Sequence, residues 1–199
     1  MPYDVGKDPY TDTSRGVLRN LFGIDTSEEL EAIEARIASI AITRIIAKTH
    51  PRPADLTLDF FFDIHKQLFG AIYDWAGQLR TVEVSKGTTS FARAEYLQVN
   101  LQALFRQFVA DEYCAAGSKE EFAEKLAYYY GELNVLHPFR EGNGRTIRTF
   151  LSLVADCHGY YIAWGDMTAA ENIQASIASY SGDETLMRQL LLKIVHRSE

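Results

Sequence analysis

The chain has 199 residues, 47% of them hydrophobic and 24% charged, enough for one domain with a real core and ordinary for a soluble globular protein. A net charge of −7 with no run of lysine or arginine argues against a direct grip on nucleic acid, and no apolar stretch is long enough to span a bilayer. The polar N-terminus offers no secretory h-region, and Cys114 and Cys157 lack metal-ligand spacing, so the expected setting is a reducing cytoplasm.

Residues 1–17, polar and punctuated by Pro2, Gly6, Pro9 and Gly16, read as an arm that is ordered only if it docks; residues 18–199 form the domain. A helix is expected from Thr26 or Ser27 to about Ala47, opened by a Thr26–Glu29 capping box and burying Leu30, Ile33, Ile37, Ile40 and Ala41. Prolines 51 and 53 end it. A second helix fits 57–73, with Phe61, Ile64, Leu68 and Ile72 on one stripe and His65 beside it in a structural hydrogen bond. Residues 81–85 alternate like a strand, 86–89 turn, and 90–92 return as its partner. Helices fit 94–113, 119–136, 145–157, 168–179 and 183–196. The expected fold is an all-α bundle carrying one β-hairpin.

The chemistry concentrates in His137-Pro138-Phe139-Arg140-Glu141-Gly142-Asn143-Gly144-Arg145-Thr146-Ile147-Arg148. Gly142 and Gly144 can adopt backbone angles closed to other residues. A helix starting near Arg145 points unpaired N–H groups and its positive dipole end at this loop. Arg145 and Arg148, three apart, share a helical face, which makes a polyphosphate site. Glu141 is the one acid in the loop, and one carboxylate with phosphate oxygens and waters is a normal Mg²⁺ arrangement. His137, just outside the loop, can accept a proton from a hydroxyl. Base, oriented nucleophile and phosphate charge stabilisation are the requirements of phosphoryl or nucleotidyl transfer.

The same twelve residues match the signature of the Fic family, HPF-x-[D/E]-GNGR-xx-R, at every defined position. The chain resembles that family further in LFGAIYDWAGQLRTVEVSKGTTSF (68–91), in LRNLFGI (18–24) and in Glu132-Leu133-Asn134. The resemblance implies a Fic-type helical bundle whose hairpin is a flap, with Val82, Glu83, Val84, Ser85 and Phe91 aligning a target protein. It implies that His137 deprotonates a target hydroxyl, which attacks the α-phosphate of ATP and releases pyrophosphate. Glu141 would hold Mg²⁺. Gly142, Asn143 and Gly144 would form the anion hole, Arg145 and Arg148 would take the distal phosphates, and Phe139 would anchor the loop. Asn134, Lys86 and Gly87 would contact the nucleotide. Many Fic proteins carry an inhibitory [S/T]-xxx-E-[G/N] motif. Only Ser27 to Glu31 comes near it here, followed by Ala32. That resembles the toxin class, in which a small antitoxin supplies the inhibitory helix and DNA gyrase or topoisomerase IV is a typical target. UMP or phosphocholine transfer, Doc-type phosphorylation (against which Gly144 argues) and a non-catalytic nucleotide-binding domain remain as alternatives.

Overall fold

The computed structural model describes residues 8–87 and 89–198. Seven helices build it among these residues: α1 (Ser27–Lys48), α2 (Leu58–Phe69), α3 (Leu97–Ala110), α4 (Lys119–Leu136), α5 (Asn143–Cys157), α6 (Ala169–Tyr180) and α7 (Thr185–Ile194). Helix α5 packs against α1, α2 and α4, and α7 closes over α4 and α6. The centre is aromatic. Phe61 meets Phe105, Phe139 and Phe150 at ring separations of 5.9, 5.5 and 5.4 Å, each ring buried. Burying one such side chain stabilises by about 1.5–3 kcal/mol.

Three small antiparallel pairs accompany the helices, where one hairpin was expected. They are β1 (Thr11–Asp12) with β2 (Val17–Leu18), β3 (Ser85–Lys86) with β4 (Thr89–Ser90), and β5 (Tyr160–Ile162) with β6 (Val195–Arg197). The last pair takes the C-terminal residues assigned to a helix through His196. The expected strand at 81–85 shrinks to Ser85–Lys86. Val82 gives its carbonyl to Arg80 Nη1 (2.7 Å), and Val84 turns its side chain into the core. Part of the expected arm, residues 1–7, lies outside the described residues; Asp8 to Val17 is docked on the domain.

Helix α1 differs from its reading in two ways. Thr26 is the N-cap but its side chain makes no capping bond, so the capping box does not form. The buried stripe is Leu30, Glu34, Ala38, Ala41 and Ile45, whereas Ile40 is 63% exposed. Two alanines let α1 lie close, and a carboxylate in that stripe is tolerated because it is paired, as described below. Helix α2 is capped by Thr57, whose hydroxyl accepts from Phe60 N (3.1 Å), and it stops at Phe69 rather than Tyr73. Residues 70–73 continue as turns, with Tyr73 N still bonded to Phe69 O (2.9 Å). Cys114 and Cys157 are free thiols.

Candidate active site

The signature loop joins α4 to α5 and is braced from several directions. Pro138 and the left-handed backbone of His137 (φ 46°, ψ 59°) end α4. Two of the α4 C-terminal carbonyls go to one buried guanidinium: Arg80 donates from Nε to His137 O (2.8 Å) and from Nη2 to Leu136 O (3.3 Å). Its other hydrogen bonds reach Val82 O and Ala92 O, the two roots of the hairpin. A cation here meets the negative end of the α4 dipole and satisfies acceptors that would otherwise be orphaned. Arg80 was not singled out from sequence; its signal was an arginine enclosed by apolar and turn residues.

Below the loop, Phe139 is fully buried and stacks on His65 at 3.8 Å. Gly77 N donates to His65 Nδ1 (2.8 Å), so the proton sits on Nε2 and goes to Glu141 O (3.0 Å). Burial lowers the His65 pKa to about 4, so the ring is a neutral strut. The structural role expected of His65 is thus located: it pins the peptide that leads into Gly142.

The Asn143 side chain is committed inward, accepting from Phe139 N and donating to Phe139 O, both at 2.8 Å. What it offers an anion is its backbone N–H. Helix α5 begins two residues earlier than expected, with Gly142 as N-cap at φ 80°. A Cβ on Gly142 would stand 2.3 Å from the Phe69 ring, so only glycine fits. A Cβ on Gly144 would stand 3.3 Å from Arg148 Nη1, which places that guanidinium over the first turn. Gly142 N already bonds the Glu141 carboxylate (2.8 Å), leaving the N–H groups of Asn143, Gly144 and Arg145 without intrahelical partners.

His137 is almost fully enclosed. Its Nδ1 bonds Asn134 O (3.1 Å), which puts the proton there and the lone pair on Nε2. Burial, with Arg80 and Lys86 nearby, lowers its pKa to about 3 and keeps it neutral. The Phe91 ring lies flat on it, 3.8 Å away and tilted 14°. The hairpin therefore touches His137, through Phe91. Ser85 and Val84 support that contact, Phe91 N bonding Val84 O (3.2 Å), and Glu83 caps the next turn by accepting from Ala94 N (3.1 Å). Lys86 and Gly87 form the exposed tip of the hairpin. Asn134 meets His137 through its carbonyl.

A cavity of about 530 Å³ opens beside the loop, walled by Lys86, Arg140, Glu141, Arg145, Tyr73, Glu34 and the β1–β2 segment. Its lining does not include His137, Asn134, Gly87 or Arg148. Arg145 stacks over Phe69 at 4.8 Å and donates from Nη2 to Glu34 Oε1 (2.5 Å), with Glu141 Oε1 at 3.6 Å. Glu34, 6% exposed and absent from the sequence reading, was legible only as an acid on a helical apolar stripe. Burial raises the Glu141 pKa. No group of three or more acidic, histidine or cysteine side chains that could hold a metal ion occurs among the described residues. With Glu34 already committed to Arg145, Glu141 is the desolvated carboxylate in this cavity that fits a cation held mainly by phosphate and water.

A family model described as Fic/DOC matches residues 55–155. The chain belongs to the Fic/DOC family. It is 38% identical to the protein adenylyltransferase VbhT of Bartonella schoenbuchensis, over 95% of this chain and 39% of that protein. It thus spans about two-fifths of the length of that relative. The Fic protein of Escherichia coli strain K12 is 34% identical, over 97% of this chain and 94% of its own. The N-terminal Fic domain of a VirB-translocated Bep effector protein from Bartonella quintana, solved with bound ADP, superposes with a TM-score of 0.88 at 26% identity, covering 96% of this chain and 95% of that one. The expected fold, an all-α Fic bundle, is the observed one. No helix among the described residues is long and apolar enough to cross a membrane.

Proposed function

We propose that this chain is a protein adenylyltransferase: His137 takes the proton of a target hydroxyl, that oxygen attacks the α-phosphate of ATP, AMP is transferred and pyrophosphate leaves. The observation that carries the reading is the geometry of the signature: His137, its Nδ1 fixed on Asn134 O and its lone pair on Nε2, adjoins an anion loop with three helix N-terminal N–H groups and two guanidiniums. Developing charge on the phosphates is met by these preorganised donors. Arg145 and Arg148 bind the distal phosphates, and Glu141 would be the residue that holds Mg²⁺. When bound, that ion neutralises phosphate charge. The hairpin segment Val82 to Ser85, with Phe91, lies beside His137 and aligns the target there, through its exposed side chains and tip, since the Val82 and Val84 carbonyls are already taken by Arg80 and Phe91. The names of VbhT and of the ADP-bound Bartonella domain support the adenine nucleotide over UMP or phosphocholine donors.

The finer reading is a cytoplasmic toxin that modifies DNA gyrase or topoisomerase IV and is restrained by a small antitoxin. Its support is the intact catalytic set together with a Ser27–Glu31 sequence that departs from the inhibitory motif at Ala32. Incubation with a bacterial lysate tests the reaction. Label from α-³²P-ATP should enter a discrete protein and label from γ-³²P-ATP should not. Labelling by the γ-phosphate would make the chain a kinase, and reversible ATP binding without label would make it a binding module.

A further inference from the structure

Arg145 is a long side chain asked to present a guanidinium to phosphate at the mouth of a cavity. Within the signature it meets a carboxylate at long range, Glu141 Oε1 at 3.6 Å. Two carboxylates flank its Nη2, unequally: Glu34 at 2.5 Å and Glu141 at 3.6 Å. Glu34 comes from the middle of α1, 111 residues away, and both of its oxygens are engaged. Oε1 accepts from Arg145 and Oε2 accepts from the Tyr73 hydroxyl at 2.5 Å. Tyr73 is itself fixed, stacked on Trp75 at 4.4 Å and 17°. The carboxylate cannot swing away without leaving its own helix stripe, where Leu30 and Ala38 are buried above and below it.

We infer that Glu34 is a positioning residue for the nucleotide, holding Arg145 by one nitrogen so that its remaining N–H groups face the phosphates. The inference rests on the nucleotide reading of this site. Among the described residues Nη2 is the one guanidinium nitrogen of Arg145 that has a protein acceptor, which leaves the donors on Nε and Nη1 for a ligand. Phe69 supports the flat face of the guanidinium from the other side. The arrangement also divides labour between the two acids. Because Glu34 satisfies the arginine, Glu141 need not, and its carboxylate can turn to a cation shared with phosphate. A planar cation pre-set by a buried partner loses less freedom on binding than one that must be ordered by the ligand. An acid beside a polyphosphate is otherwise unfavourable, so its presence here needs this compensating role.

The test is calorimetric binding of the non-hydrolysable analogue AMPPNP with Mg²⁺ to the wild type, Glu34→Gln, Arg145→Ala and the double variant, each with a thermal melt. Glutamine keeps the size and an acceptor for Tyr73 but removes the charge that holds Arg145. Glu34→Gln should weaken AMPPNP about tenfold, and it should add nothing further when Arg145 is already alanine. Tyr73→Phe, which leaves the charge but unlocks it, should weaken binding about threefold and serves if Glu34→Gln does not fold. Unchanged affinity in both variants overturns the inference, as does an effect that simply adds to that of Arg145→Ala. Tighter binding on losing Glu34 overturns it in the other direction, making the acid a competitor of phosphate. A wild type that does not bind AMPPNP at all removes the nucleotide reading itself, a different failure.

Discussion

His137 carries two burdens at once: a left-handed backbone that few non-glycine residues adopt, and a ring buried where its charged form is unfavourable. Both are consistent with a residue kept for chemistry rather than stability. His137→Ala should reduce transfer by about 10²–10⁴-fold, the usual loss of a general base. AMPPNP affinity in a binding assay should stay near that of the wild type; a parallel loss of binding would move His137 from base to ligand contact. The burial has a second, measurable result. His65 and His137 titrate near 4 and 3 in the fold but near 6.5 when unfolded. Above about pH 6.5 neither state binds the proton and they contribute nothing. As pH falls below that, the unfolded chain takes up protons the folded one refuses, and stability is lost. The slope is about 1.4 kcal/mol per pH unit for each histidine. Urea unfolding between pH 6 and 4.5 should show this slope, and His137→Asn should lower it by one proton's worth.

At the level of elements, Arg80 is the tie between α4 and the flap. Arg80→Met fills the same space but strands four carbonyls, so it should cost at least about 3 kcal/mol in denaturant melts. Transfer should fall further than stability alone requires, because Phe91 would lose its seat on His137. A second element stores strain without a catalytic partner: Glu112, Tyr113 and Cys114, after α3, all have positive φ (51°, 58° and 72°). Glu112 is exposed, and Glu112→Gly should raise stability by roughly 0.5–1 kcal/mol, read as a higher melting temperature. These elements show what a sequence reveals and what it hides. The signature loop, α4 and the apolar stripe of α2 were legible because glycine chemistry and a 3.6-residue period act locally. The stripe of α1 was misread because its apolar count favours Ile33, Ile37 and Ile40, whereas the buried face is set by a partner 111 residues away. The hairpin was overextended because the alternation of 81–85 is β-like in isolation, yet Arg80 claims the Val82 carbonyl that a ladder would need.

For the whole molecule, the proposed nucleotide site is assembled from three distant parts of the chain: α1, the hairpin and the signature. A partner that silences the enzyme must reach that junction. The proposed antitoxin should present a Ser or Thr and, four residues on, a Glu followed by Gly or Asn, and that Glu should pair with Arg148. Co-expression should restore growth, and changing the partner's Glu to Gly should undo the rescue while the complex still co-purifies. Release of activity by Glu31→Ala in the isolated chain would contradict this, since Glu31 lines the cavity at the start of α1.

The outer wall of that cavity is the β1–β2 segment, fastened by a buried ion pair between Asp8 and Arg140 (2.7 Å) and by Tyr10 against Trp75. Asp8 and Arg140 are 132 positions apart, so this wall closes a very large loop and its formation waits for the helices that carry Arg140. Order of assembly and order of loss are then linked. The segment should complete the site last and be the first wall to open when the chain is warmed. Trypsin offers a clock for that opening, because Arg15 and Arg19 lie in and beside the β1–β2 turn. Cleavage there should begin below the global melting temperature and slow when AMPPNP is bound, since a ligand held against the wall counts against every excursion that removes it.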